Sequence, residues 1–228
     1  MTALFGPFAA AWLAAAGLSH AAEGHEAQAW MEAGVRYRPK KKVRLQLSQN
    51  LRFNENVSRT ESVMTDMAVS WSAGKNLSVA AGYRLNMDAN REGEFMPVHR
   101  LHVQSVVDRE VGPLSLSHRV RFEESFKVDG TEMDSWHTLR NRVEVELDLD
   151  TDLRPVLSVE LHSLLAEYRP VLQEKLRFCG GFTYKASKTH VYRLLYINQL
   201  PIQYLSDPDE HIISLGYQHR VPRKKKKK

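Results

Sequence analysis

Apolar and polar residues alternate one by one along this chain, in segment after segment, and that period of two leaves few folds open. In 43–53, Val43, Leu45, Leu47, Leu51 and Phe53 are apolar, and Arg44, Gln46, Ser48, Asn50 and Arg52 fall between them. Segment 77–87 sets Leu77, Val79, Ala81, Tyr83, Leu85 and Met87 against Ser78, Gly82, Arg84 and Asn86. Segment 114–126 sets Leu114, Leu116, Val120, Phe122 and Phe126 against Ser115, Ser117, Arg119, Arg121 and Glu123. Segment 139–149 sets Leu139, Val143, Val145, Leu147 and Leu149 against Arg140, Arg142, Glu144, Glu146 and Asp148. Successive side chains on a strand point to opposite faces, so each segment is a strand with one oily and one charged face. With 29–38, 62–71, 100–107, 155–164, 176–185, 190–198 and 211–221, the count is about eleven segments. The expected fold is all-β, a single closed barrel.

The chain has 228 residues, and its last six, Arg223 to Lys228, are all basic. The formal charge is +5, so without that tail the rest is close to neutral. A chain-wide nucleic-acid surface is therefore not expected. The single cysteine, Cys179, excludes an intrachain disulfide framework and a cysteine-based zinc site. The run from Ala3 to Leu18 is apolar or small and precedes Ser19-His20-Ala21-Ala22, which fits a cleaved export signal. The organisation expected is a signal peptide over 1–22, a barrel over 23–222 and a basic tail over 223–228.

Alternation does not say which face turns inward. A lipid-carrying soluble barrel hides its apolar face, whereas a membrane barrel turns it out. Three features favour the membrane. The charged face is dense and mixed in sign, so its groups can pair across strands. Aromatic residues fall near segment ends, at Trp30, Tyr37, Phe53, Trp71, Phe122, Phe126, Trp136, Phe178 and Tyr184, where interfacial girdles lie. The signal implies export, and closing the sheet is the only way a β-protein can satisfy its backbone in lipid. Short turns at 39–42, 73–76, 108–113, 150–154 and 186–188 alternate with longer polar loops at 54–61, 88–97, 127–135, 166–173 and 200–210. The expectation is thus an antiparallel transmembrane β-barrel of 10–12 strands with a polar, charged lumen, in an outer membrane of Gram-negative type.

Several short fragments, in their order, also carry a likeness. They are Trp30, Leu51-Arg52-Phe53, Lys75-Asn76-Leu77-Ser78-Val79 with Gly82-Tyr83-Arg84, and Val98-His99-Arg100-Leu101. His118-Arg119-Val120-Arg121-Phe122-Glu123, Leu139-Arg140-Asn141-Arg142, Leu153-Arg154-Pro155 with Glu160, and Ile213-Ser214-Leu215-Gly216-Tyr217 complete the set. From Trp30 to about Val221 the chain resembles an uncharacterised family of bacterial outer-membrane β-barrels, domain of unknown function 2490. The resemblance implies such a barrel and no established activity. The chain departs from the common barrel pattern in its end, Val221-Pro222 and a Lys tail rather than an aromatic residue, and in an odd segment count.

Inward polar faces would gather Arg84, Arg100, Arg119, Arg121, Arg140 and Arg142 with Glu123, Glu144, Glu146 and Glu160 in the lumen. In so narrow a bore this cluster either cross-links and closes it or makes an anion-favouring constriction. Arg119, Arg121, Arg140 and Arg142 are expected to be neutralised in part by Glu144 and Glu146. The expected role is non-catalytic, structural or a narrow porin-like passage for an unidentified small solute. Partners would be outer-membrane lipid and the barrel assembly machinery, with no nucleic acid and no cofactor. Two alternatives remain open: an outer-membrane lipid hydrolase or acyl-modifying enzyme, and a soluble periplasmic β-barrel carrier. The enzyme would use Ser105, His118 and Asn141, polar residues in an otherwise apolar phase. No Gly-x-Ser-x-Gly or His-Glu-x-x-His occurs, and His99 and His102 could share a metal only on a helix. Gly180-Gly181 is expected to let a strand bend.

Overall fold

A computed structural model describes residues 26–90, 92–129, 132–165, 172–202 and 209–222. The export signal and the basic tail lie outside the described residues. Eleven strands follow one another: β1 (Glu26–Lys40), β2 (Val43–Asn54), β3 (Arg59–Ser72), β4 (Leu77–Ala89), β5 (Phe95–Val111) and β6 (Leu114–Asp129), then β7 (Glu132–Leu147), β8 (Leu153–Leu165), β9 (Leu172–Tyr184), β10 (His190–Pro201) and β11 (Glu210–Val221). Each pairs with its neighbours in sequence, and β11 pairs back onto β1, closing the barrel.

The closing seam corrects one expectation. Ten of the eleven pairings are antiparallel, but β1 and β11 run parallel, with Ala29 opposite Ile213, Ala33 opposite Tyr217 and Arg36 opposite Arg220. The reason is parity. In an up-and-down meander with an odd strand count, the first and last strands point the same way, so a closed ring needs one parallel pair. The even number common among bacterial outer-membrane barrels is therefore absent here. The same parity puts the start of β1 and the end of β11 at opposite ends of the cylinder.

The connections differ less between the two ends than the sequence leads one to expect. At one end, the turn end, they are 41–42, 73–76, 112–113, 148–152 and 185–189. At the other, the loop end, they are 55–58, 90–94, 130–131, 166–171 and 202–209. The expected loop over 127–135 is mostly strand: β6 and β7 extend through it to a two-residue connection. Cross-strand pairing continues there, from Lys127 opposite Asp134 to Asp129 opposite Glu132.

Burial fixes the direction of the faces. Seventeen polar or charged residues are buried against nine apolar ones among the described residues, the reverse of a water-soluble core. Leu45, Val79, Val103 and Leu157 lie on the outer face, the last two 55% and 66% exposed. Val120 and Val145 fall in the same outward phase and are half-exposed. Arg121, Glu123, Glu160 and Arg177 are buried inside. The barrel is inside-out, with ions where a soluble domain keeps aliphatics.

The outer face also carries aromatic and histidine rings near both ends. Tyr37, Trp71 and Tyr184 are exposed toward the turn end. Tyr184, Tyr192, Tyr217 and His190 form a run of ring contacts there. Toward the loop end His99 stacks on Phe126 at 5.2 Å and Phe122 on His137 at 5.7 Å. Three diagonal cross-strand pairs join a tyrosine hydroxyl to a histidine Nδ1: Tyr83–His99 at 2.7 Å, Tyr196–His211 at 2.5 Å and Tyr217–His190 at 2.8 Å. Trp30 and Trp136 do not belong to these rings. They share the inward phase of Arg36 and Arg140, and Trp136 lines a cavity in the bore.

Candidate functional site: an ionic plug in the bore

Alternation aims the charged faces inward, and the register decides which charges meet. Glu160 on β8 stands opposite Arg142 on β7 and Arg177 on β9. Its carboxylate nevertheless takes Arg140 through Nη2 at 3.0 Å and Nε at 3.2 Å, and Arg119 from β6 at 2.5 Å. Arg177 approaches at 4.0 Å, and His162 Nε2 at 3.5 Å. Glu123 on β6 gathers Arg140 at 3.1 Å, Arg121 at 3.3 Å and Arg100 at 3.5 Å. Arg140 thus bridges the two carboxylates. Each of these carboxylates faces more than one guanidinium, which offsets the cost of burying it.

Polar neighbours fill the remaining valences. Arg100 Nε donates to Ser125 Oγ at 2.8 Å, and Arg121 Nε to Gln104 Oε1 at 2.8 Å. Arg84 pairs with Asp66 at 2.9 Å. Arg177 donates to Gln199, whose amide donates to Glu210 at 2.6 Å. The belt therefore crosses the inner wall from β3 to β11, with its densest part over β6, β7 and β8. Gly82 makes room within it. A Cβ there would lie 2.4 Å from His102 Nε2 and 2.7 Å from the Met67 carbonyl, so the buried imidazole lies over a bare stretch of β4.

All ten of the charged residues singled out in the sequence face the bore, but of the expected pairs only Arg142 with Glu144 forms. Glu144 binds Arg193 at 2.7 Å and Arg142 at 3.6 Å. Glu146 binds Arg154 at 3.2 Å and Lys185 at 3.5 Å, toward the turn end. The carboxylates that neutralise Arg119, Arg121 and Arg140 are Glu123 and Glu160 instead. Two residues along a strand is a rise of about 6.6 Å, so a guanidinium on a long stem chooses among several levels, and barrel stagger sets which is nearest.

Toward the loop end the plug leaves a cavity of about 160 Å³. Its wall includes Arg52, Arg84, Arg100, Arg140, Lys175 and Arg177, with Glu123 and Glu174. Arg52 stacks over Trp30 at 3.9 Å, and Arg177 lies 5.0 Å from the same ring. Lys175 falls one residue before the strand that the alternation marks, 176–185. It shares the phase of Arg177, the signal that would have found it.

Ser105, His118 and Asn141 lie on the outer face of β5, β6 and β7. Ser105 and Asn141 are level, with Val120 between them, and His118 is one diagonal step away. Among the described residues no hydrogen bond joins any two of the three. His99 and His102 sit on opposite faces, as a strand requires. Cys179 is a free, half-buried thiol opposite Ser158. At Gly181 a Cβ would lie 2.0 Å from the Leu194 carbonyl, so glycine is needed for the close approach of β10, and the ladder runs past without a bulge.

No curated protein matches the chain. The sequence model of a family described as "Protein of unknown function (DUF2490)" matches residues 27–203, from β1 through β10, with β11 beyond the matched range. An eleven-strand barrel with outward aliphatics and a buried Arg–Glu belt, matched over that span, places the chain in the DUF2490 family.

Proposed function

We propose that this protein is an outer-membrane β-barrel of non-catalytic type whose bore is closed by its own ion pairs. One observation carries the reading: the oily face of the sheet is outside and the ionic face inside. In water that arrangement exposes a continuous apolar belt far larger than a soluble monomer normally shows. In a bilayer the same belt replaces lipid contacts at no cost, and the closed sheet leaves no unpaired edge. Every strand has 12 or more residues, and a tilted strand needs about 9–11 to cross the hydrocarbon layer. The Tyr–His and Phe–His pairs near both ends suit the headgroup level, where rings with a polar tip are favoured. A soluble carrier would need the opposite arrangement, with an apolar interior to hold its cargo.

The bore supports closure over free passage. The side chains of Glu123 and Glu160 are 3% and 6% exposed, and the guanidiniums around them fill the middle of the lumen. The expected result in planar bilayers is an absence of steady conductance steps. Large, regular steps would overturn closure while leaving the membrane location standing.

Location has its own test. Val103→Arg places a charge on the outer belt of β5, at a site 55% exposed. In a bilayer it should cost about 2–4 kcal/mol if the site lies near the midplane, read from folding of the purified chain into phosphatidylcholine vesicles. Ser115→Arg, on the inner face near the turn end, should cost much less. If Val103→Arg folds as well as the unaltered chain and both remain soluble without detergent, the membrane reading fails.

A further inference from the structure

The cavity at the loop end has a charge imbalance that the plug does not need. Six cationic side chains line it, Arg52, Arg84, Arg100, Arg140, Lys175 and Arg177, against two carboxylates, Glu123 and Glu174. Arg84, Arg100 and Arg140 are already committed, to Asp66, Glu123 and Glu160. Among the described residues, neither Arg52 nor Lys175 has a carboxylate within ion-pair distance. Arg177 reaches Glu160 only at 4.0 Å. Glu61 attracts Arg52, and Glu174 and Glu210 attract Lys175, only from beyond ion-pair distance, and an excess of cations over carboxylates at a partly buried wall draws a counter-anion.

The geometry around Arg52 says which kind of anion fits. Its guanidinium carbon lies over the Trp30 ring, 3.9 Å from the ring centre, which is stacking distance. Stacking uses the face of the group and leaves its in-plane N–H donors free, the fork that grips an oxyanion through two oxygens. Lys175 adds a mobile point charge. Arg140 and Glu123, which pair with each other at 3.1 Å in the plug, are part of its wall as well. Its volume of about 160 Å³ admits a phosphate-sized group.

We infer that the loop-end cavity binds a small phosphate-class oxyanion, inorganic phosphate or the phosphate of a water-soluble ester, between Arg52, Lys175 and Arg177. The source is a solute entering from the loop end, because the site lies inside the wall and away from any surrounding lipid. The inference rests on the inward-facing charges and not on where the barrel resides. Failure of the Val103→Arg test would leave it intact, and its own failure would leave the membrane reading intact.

The test is calorimetric titration of inorganic phosphate, and separately of methyl phosphate, into the full chain in a zwitterionic amine-oxide detergent. Saturable one-to-one binding is expected. Arg52→Gln and Lys175→Gln should each weaken it about tenfold or more, the loss typical of a charge-assisted hydrogen bond. Lys75→Gln, on an exposed turn, should leave it unchanged. Folding of each variant is checked by far-UV circular dichroism and by heat-modifiable gel mobility. Should Arg52→Gln not fold, the unaltered pocket still reports through Trp30 and Trp136 in a background carrying both Trp12→Phe and Trp71→Phe. Phosphate should change their fluorescence along the calorimetric isotherm, and no such change would overturn the site. Absence of saturable heat would overturn it. So would equal weakening by Arg44→Gln, a bore residue at the other end, or binding only to phosphate presented on lipid vesicles.

Discussion

Glu160 is the residue on which the interior depends most. Its carboxylate is shared by Arg140 and Arg119, with Arg177 and His162 at the edge of reach. Removing its charge leaves two or more guanidiniums buried without their main partner. Glu160→Gln should therefore lower stability by about 3 kcal/mol or more, seen as an earlier urea midpoint when unfolding is followed by gel mobility. Replacing the exposed pair Arg59–Glu55, at 2.9 Å, by Arg59→Gln should cost less than about 1 kcal/mol in the same assay. Equal effects would mean the plug is hydrated and its ion pairs contribute little.

Sequence phase alone put Glu160 on the charged face of its strand, since it alternates with Val159 and Leu161. It did not give its partners. Glu144 and Glu146 are nearer to Arg140 and Arg142 in sequence than Glu160 is, yet they serve Arg193, Arg154 and Lys185 as well. Sequence proximity on one strand puts like-facing residues two apart at different heights, and the neighbour across the sheet is set by stagger. Trp30 and Trp136 teach a related point. Their positions near strand starts resemble an interfacial girdle, but their phase is that of Glu32 and Thr138, and phase decides the face.

At the scale of the element, β9 shows how narrowly a strand is fitted to its neighbours. Gly180 and Gly181 are adjacent and look interchangeable in sequence. An added Cβ at Gly180 would meet only Leu157 Cδ2, at 3.4 Å, an ordinary contact with a movable side chain. At Gly181 it would meet the Leu194 carbonyl at 2.0 Å and Leu195 Cα at 2.9 Å. Backbone cannot swing aside without breaking the β9–β10 ladder. Gly180→Ala should therefore be nearly neutral, and Gly181→Ala should cost about 2 kcal/mol or prevent folding, again by urea midpoint. Similar midpoints for the two would mean that β10 yields locally.

The strands themselves were largely legible. Alternation sets their phase over most of their length, and the structure lengthens them at the ends, as at 127–135, where polar residues suggested a loop. Lys127 and Asp134 are polar because they lie near a rim of the cylinder, and polarity at a rim does not end pairing. The two-residue connection there was hidden for that reason.

At the scale of the whole molecule, the parallel seam is the least ordinary feature and the easiest to probe. In a Cys179→Ser background, Met31→Cys with Leu215→Cys and Ala33→Cys with Tyr217→Cys are level pairs and should each cross-link on oxidation. The exchanged pairs, Met31→Cys with Tyr217→Cys and Ala33→Cys with Leu215→Cys, sit on diagonals of about 7–8 Å and should not. An antiparallel seam would reverse that outcome. The readout is the mobility of the linked species on a non-reducing gel.

The amino-acid sequence by itself determined the strands and their two faces, because a period of two ties every side chain to one side of a sheet whatever the sheet does next. It also put the strand count near eleven without choosing among ten, eleven and twelve; the odd number, and the parity that makes a parallel seam unavoidable once the ring closes, came with the tertiary structure. Only the tertiary structure decided that the ring closes β1 on β11, that the ionic side is the inner one, and which carboxylate each arginine finds. Those outcomes depend on tilt and stagger between strands far apart in the chain, and no local pattern of residues encodes a distance across the bore.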